Sequence, residues 1–178
     1  MNELDVLRDV IRRLEDAALD YMLTGSMALN LYAQPRMTRD IDMVLALLLK
    51  DVPRLAGIFG VDYYFSPESA EEAVRQQRSF NIIHQATMVK VDFMIRRREE
   101  YRLEEFARRR RVRVDDFELW VVSKEDLILS KLDWARESLS ERQLADVENL
   151  LATGCDLEYV KSCAARLNLT AMLTRVSP

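Results

Sequence analysis

Three aspartates and one glycine-serine turn are the residues of this 178-residue chain whose types and spacing could do chemistry. Asp40-Ile41-Asp42 opens an apolar run, MVLALLL. In a strand, residues i and i+2 project from the same face while the one between goes to the other, so two carboxylates stand side by side. On an otherwise apolar strand they repel each other and lose hydration, which a cation relieves. Adjacent hard oxygen donors suit Mg²⁺, which is usually held by one or two carboxylates with the rest of its shell given to water and substrate phosphates. An isolated Asp-x-Asp is common by chance, and its surroundings decide its weight. Residues 89–95 alternate as a second strand, with Val89, Val91, Phe93 and Ile95 on one face and Lys90, Asp92 and Met94 on the other, which makes Asp92 a third carboxylate.

Upstream, Leu23 and Thr24 end a short apolar run, and Gly25-Ser26 turns the chain into a helix, MALNLYAQ, whose Met27, Leu29 and Leu31 can line one face and which Pro35 stops. A strand entering a helix through such a turn leaves backbone N–H groups unpaired at the positive end of the helix dipole. Gly25 and Ser26 are therefore candidates to hold a phosphate.

Gly-Ser at a strand-helix turn, thirteen residues (27–39), Asp-Ile-Asp and a later strand aspartate together resemble the polymerase-beta-like nucleotidyltransferase superfamily. Within it, that spacing, Arg36 and Thr38 before the acid pair, and the segment SKEDLILSKLDWARE…RQLADVENLL look most like the AbiEii-type toxins of bacterial toxin-antitoxin and abortive-infection systems. The similarity covers about residues 20–152. Two features depart from it: Thr24-Gly25-Ser26 stands where many such toxins carry Gly-Gly, and the compact chain leaves little room for an acceptor-binding domain.

The resemblance implies an α/β (α+β) fold, a small mixed sheet with flanking helices, and a C-terminal helical cap. It implies a Mg²⁺-dependent enzyme that transfers a nucleoside monophosphate from an NTP to a hydroxyl acceptor, RNA and above all tRNA being favoured. An antitoxin protein is the partner it suggests. Asp40, Asp42 and Asp92 would hold the metal, Asp92 would take the acceptor's proton, and Arg36, Arg39 and Lys131 would be counter-charges for the triphosphate. Lys131 falls in the apolar arc Leu127, Ile128, Leu132, Ala135, so its stem either snorkels to water or carries its ammonium into the cleft; the lysine that AbiEii-type proteins have in this helix favours the cleft. Asp146 either orients Lys131 or faces water.

Other segments supply the frame. Residues 3–19 form an amphipathic helix that packs on the sheet, 21–24 a strand, 26–34 a helix, and 41–48 a strand apolar on both faces past Asp42, hence central. Asp51 can cap a helix starting at Pro53 and ended by Gly60; VDYYF is a short strand; Ser66-Pro67 opens a helix to about Gln77. Residues 79–85 and 88–95 read as a hairpin, and Val112 to Val121 as a strand pair. Ser123 begins the Lys131 helix in a capping-box pattern, and 156–173 gives one or two more helices. A soft boundary near Ser123 separates a catalytic module, 1–122, from a helical cap, 123–178.

Composition bounds the alternatives. Half of the residues are hydrophobic (49%), no run approaches the ~20 residues of a membrane span, and the charged start is no signal peptide, so a cytoplasmic protein is expected. Cys155 and Cys163 read as free thiols, and His84, the one histidine, as structural. The net charge of -4 argues against a general nucleic-acid coat, yet residues 96–113 hold nine arginines against four glutamates. Arg96, Arg108, Arg109, Arg110 and Arg111 are the candidate contacts to an RNA acceptor. A noncatalytic nucleotide- or RNA-binding module is the rival from another class, and retention of all three acids speaks against it. Adenylylation of a protein or of a cationic small molecule such as an aminoglycoside is the enzymatic alternative; the latter would favour an acidic cleft.

Overall fold

The computed structural model describes residues 2–176. The first helix, α1 (Glu3–Asp16), is started by Asn2, whose side chain accepts from the Asp5 N–H while Asp5 reaches back to the Asn2 N–H. It buries Val6, Leu7, Val10, Ile11 and Leu14, the stripe its periodicity predicts. Then come β1 (Tyr21–Thr24), α2 (Gly25–Tyr32) and β2 (Ile41–Leu45). A 3-10 turn (Leu49–Arg54) runs into α3 (Leu55–Phe59), followed by β3 (Tyr63–Tyr64), α4 (Pro67–Gln76), β4 (Ser79–His84) and β5 (Lys90–Ile95). After α5 (Glu100–Ala107) and the hairpin β6 (Arg110–Val114) and β7 (Phe117–Val121), the chain ends in four helices: α6 (Lys124–Ser138), α7 (Glu141–Ala152), α8 (Leu157–Arg166) and α9 (Thr170–Val176).

Among the described residues the strands form one mixed sheet in the order β3-β4-β5-β2-β1-β7-β6. Strand β2 is central as expected, antiparallel to β1 and parallel to β5. Its two faces are unlike: Ile41, Met43 and Leu45 are buried, whereas Asp42 and Val44 are half-exposed on the side that faces α6. The buried face of β5 carries Phe93, which packs on Phe59 of α3 at 5.9 Å and on Phe80 at 5.4 Å between ring centroids. The polar side of the sheet is thus free for a site because the apolar side is filled from α1, α3 and α4.

Several boundaries differ from the sequence expectation. Strand β2 stops at Leu45, and Asp40 lies just ahead of it in an exposed loop position. In α2 the buried residues are Ala28 and Leu29, while Leu31 faces outwards. Asp51 caps one turn earlier than expected: its Oδ2 accepts from the Leu48 N–H at 3.2 Å and starts the 3-10 turn. One hydrophobic core runs through residues on both sides of Ser123, from Val6 to Val176.

Candidate active site

The site is set by strand register. Asp42 and Asp92 are directly paired across the β2–β5 ladder, and Thr24 opposes Asp42 from β1. The turn after Thr24 therefore lies over the Asp42 carboxylate. Gly25 takes a left-handed φ of +65°, and a Cβ there would sit 2.1 Å from Asp42 Oδ2. Only glycine serves both the backbone angle and the approach. The start of α2 and the acid pair are consequently one structure, with the unpaired N–H groups of the helix beside the carboxylate.

Burial raises the Asp42 pKa above the usual carboxylate value, and the charges of Asp92 and then Asp40 raise it further, against the pull of Lys131 and Lys90. Ionised, Asp42 is short of positive charge. Asp92 has a cation of its own: Lys90 Nζ lies 2.8 Å from its Oδ2, and this hydrogen bond chiefly holds the Lys90 pKa up. Among the described residues no three His, Cys, Asp or Glu side chains are placed so as to hold a metal ion by themselves. The donor set fits a divalent cation in the manner Mg²⁺ ordinarily adopts, with carboxylates on one flank and phosphate and water on the other.

Behind the acids lies a buried network that joins the turn to the cap. Arg36 grips Asp146 with two parallel bonds, Nε to Oδ1 and Nη2 to Oδ2, both 2.8 Å, and Nη2 also donates to Ser26 Oγ at 2.5 Å. Lys131 Nζ donates to Asp146 Oδ2 at 2.7 Å and to Gln143 Oε1 at 3.1 Å. The Asn30 side chain fixes the loop by exchanging two 2.9 Å bonds with the Arg36 backbone. Lys131 is only 3% exposed, so it does not snorkel; it lines the same cavity as Asp42. Burial lowers its pKa, partly offset by Asp146, whose own pKa the Arg36 and Lys131 bonds depress despite its burial. Arg39 is exposed in the loop before β2 and does not line the cavity.

That cavity, about 390 Å³, runs from Gly25 and Asp42 over Val44 and Met94 towards Arg96 and Arg97. One wall is a stripe of α6: Leu127, Ser130, Lys131 and Trp134, spaced three and four apart. Of the five arginines expected to meet an acceptor, Arg96 alone lines it. Arg108 binds buried Asp126 at 3.2 Å, Arg109 binds Asp20 at 3.1 Å, Arg110 lies 3.9 Å from Glu125, and Arg111 binds Glu118 at 3.0 Å. These four arginines, just ahead of and along β6, are each paired with a carboxylate and do not line the cavity, so their contact with an acceptor stands as a proposal. Sequence reasoning also passed over Lys90, Trp134 and the pair Arg102 and Glu105. The signal for Trp134 was present, since it stands one helical step beyond Lys131 on the same stripe.

The strand-turn-helix cradle lies over Asp42, and Asp92 stands beside it on the neighbouring parallel strand. Solved structures agree on the fold. ANT(2")-Ia in complex with adenylyl-2"-tobramycin matches with a TM-score of 0.62 at 14% identity over 97% of this chain and 98% of that one. A nucleotidyltransferase-like antigenic protein of Paracoccidioides brasiliensis matches at 0.59, with 16% identity over 97% and 92%. The lincosamide adenylyltransferase LnuA, lincomycin-bound, matches at 0.53, with 16% identity over 83% and 94%. No curated protein matches the sequence. The family model described as nucleotidyl transferase AbiEii toxin, type IV toxin-antitoxin system, matches residues 8–171. The chain belongs to that family, which is one of nucleotidyltransferases. Among the described residues no helix is long and apolar enough to cross a membrane.

Proposed function

We propose that the protein transfers a nucleoside monophosphate from an NTP to a hydroxyl acceptor in a Mg²⁺-dependent reaction, and that it is the toxin of a toxin-antitoxin pair with RNA, in particular tRNA, as its acceptor. The observation that carries this reading is the direct pairing of Asp42 with Asp92 beneath the Gly25 turn. Asp40, Asp42 and Asp92 are the proposed metal ligands. Bound there, Mg²⁺ would neutralise the triphosphate and acidify the acceptor hydroxyl.

The remaining work falls to the chain itself. The N–H groups at Gly25 and Ser26 hold the distal phosphates, with Arg36 locked beneath them and Lys131 supplying charge from the cavity wall. The acceptor oxygen attacks the α-phosphorus, the bond from that phosphorus to the bridging oxygen breaks, and pyrophosphate leaves. Asp92 accepts the hydroxyl proton. Lys90 releases Asp92 as that oxygen comes into use.

The preference for an anionic acceptor rests on the cavity's open end, where Arg78 and Arg97 are exposed, while Glu105 and Asp133 are already held by Arg102. Transfer to a small cationic hydroxyl compound is the second reading, favoured by Glu137 on the same rim. Incubating the protein with each α-labelled NTP, Mg²⁺ and a cell extract, then separating RNA, protein and small molecules, tests the reaction and its acceptor together.

A further inference from the structure

The part of the cavity beyond Asp42 is built to a different plan from the phosphate end. Its floor is apolar, from Val44 and Met94, and Trp134, which lines it, is 50% exposed, a large apolar side chain left open to solvent. Polar groups set at its edge are held rigidly. Glu105, 4% exposed, accepts from Ser130 Oγ at 2.6 Å and from Arg102 Nη1 at 3.0 Å. Arg102 also donates to Ser130 Oγ at 2.9 Å and to Asp133 Oδ2 at 2.8 Å. These bonds fix the α6 turn that carries Trp134, so the indole is presented by an element that cannot easily turn away.

We propose that this chamber is a nucleobase subsite in which a base lies against Trp134 and over Val44 and Met94. The inference rests on the nucleotidyl-transfer reading and deepens it by assigning the stacking residue. The chemistry suits a base in particular: a flat π-face wants an aromatic plane over an apolar floor. The base comes either from the NTP or from the unpaired end of an RNA, and both present the same face to the indole.

The test uses indole fluorescence, because a stacked base quenches it. The chain has two tryptophans, and Trp120 is sandwiched between Arg109 and Arg111, with ring-to-guanidinium distances of 4.9 and 5.5 Å, outside the cavity. In Trp120→Phe, Trp134 is the sole reporter; should that variant fold poorly, the difference between wild type and Trp134→Phe reports the same signal. Titrations with each NTP, inorganic tripolyphosphate and a short RNA with an unpaired 3' end are compared with calorimetric binding. Quenching by an NTP but not by tripolyphosphate places the donor's base here, and quenching by the RNA alone places the acceptor's base here. In either case Trp134→Ala should weaken binding of that ligand by about tenfold or more while leaving tripolyphosphate binding unchanged. Calorimetric binding of NTP and RNA with no quenching, and with Trp134→Ala unaffected, would overturn the subsite and leave the transferase reading standing. If no nucleotide binds at all, both fall.

Discussion

Gly25 stands directly over Asp42, so close that an added methyl would lie 2.1 Å from the carboxylate oxygen. Gly25→Ala must therefore move either the start of α2 or the acid, and it also puts a side chain at a φ of +65°. We expect a stability loss of about 1–3 kcal/mol and a loss of turnover on the order of 100-fold or more, since displacement by about 1 Å is enough for that. Thermal melting and pyrophosphate release measured on one preparation check both; normal turnover with a normal melt would mean that the turn is no cradle.

Asp42→Asn keeps the shape and removes a charge that burial and two neighbouring carboxylates disfavour. Activity should fall by orders of magnitude, while the metal-free protein should melt at or above the wild-type temperature, as where an active site is held in strain. Retained turnover in the purified variant would remove Asp42 from the metal set.

Asp146 neutralises two cations at once, Arg36 and Lys131, in a buried setting. Asp146→Asn leaves them uncompensated and should cost roughly 3–5 kcal/mol near neutral pH. Because the folded state depresses the Asp146 pKa, its stabilising share is present above the ordinary carboxylate range and is lost as the pH falls through the folded value. The gap between wild type and variant in denaturant unfolding should thus narrow on acidification; a gap that widens would contradict the pairing.

Lys131→Met should keep the packing of the α6 stripe yet weaken use of the NTP, and Lys131→Glu should be worse. An unchanged KM and kcat for NTP in the Met variant would reduce Lys131 to a structural partner of Asp146.

The arginines divide by location. Replacing Arg108, Arg109, Arg110 and Arg111 by Gln breaks pairs with Asp126, Asp20, Glu125 and Glu118 and stacking on Tyr159 and Trp120. It should lower the melting temperature and leave the salt dependence of RNA binding unaltered. Replacing Arg78, Arg96 and Arg97 by Gln should flatten that dependence by about 0.7 in log-log slope for each single-strand phosphate that is no longer neutralised. Salt titrations on the quadruple and the triple variant decide, and the opposite pattern would assign Arg108, Arg109, Arg110 and Arg111 to the acceptor.

What could be read in advance follows from the range of each interaction. Alternation within residues 89–95 and the apolar run after Asp42 are local, and they located Asp42 and Asp92 on their strands, while Asp40 falls just outside β2. That Asp42 faces Asp92 rather than a neighbour two residues away depends on strand register, which no local pattern carries. Lys131 was ambiguous because an ammonium in an apolar arc has the same periodicity whether it snorkels or is paired; Asp146, on the next helix, resolves it. The ion pairs of the arginine run were not legible because sequence shows charge and not partners, and the partners lie as far off as Asp20.

The most direct measurement of the central claim is pyrophosphate release and transfer of label from α-labelled NTP to an RNA acceptor, with and without Mg²⁺, for wild type and Asp42→Asn side by side. Metal-dependent labelling of RNA, stoichiometric with pyrophosphate and lost in the variant, is the predicted result. Nucleotide binding by wild type with no pyrophosphate and no labelled product under any NTP would contradict it.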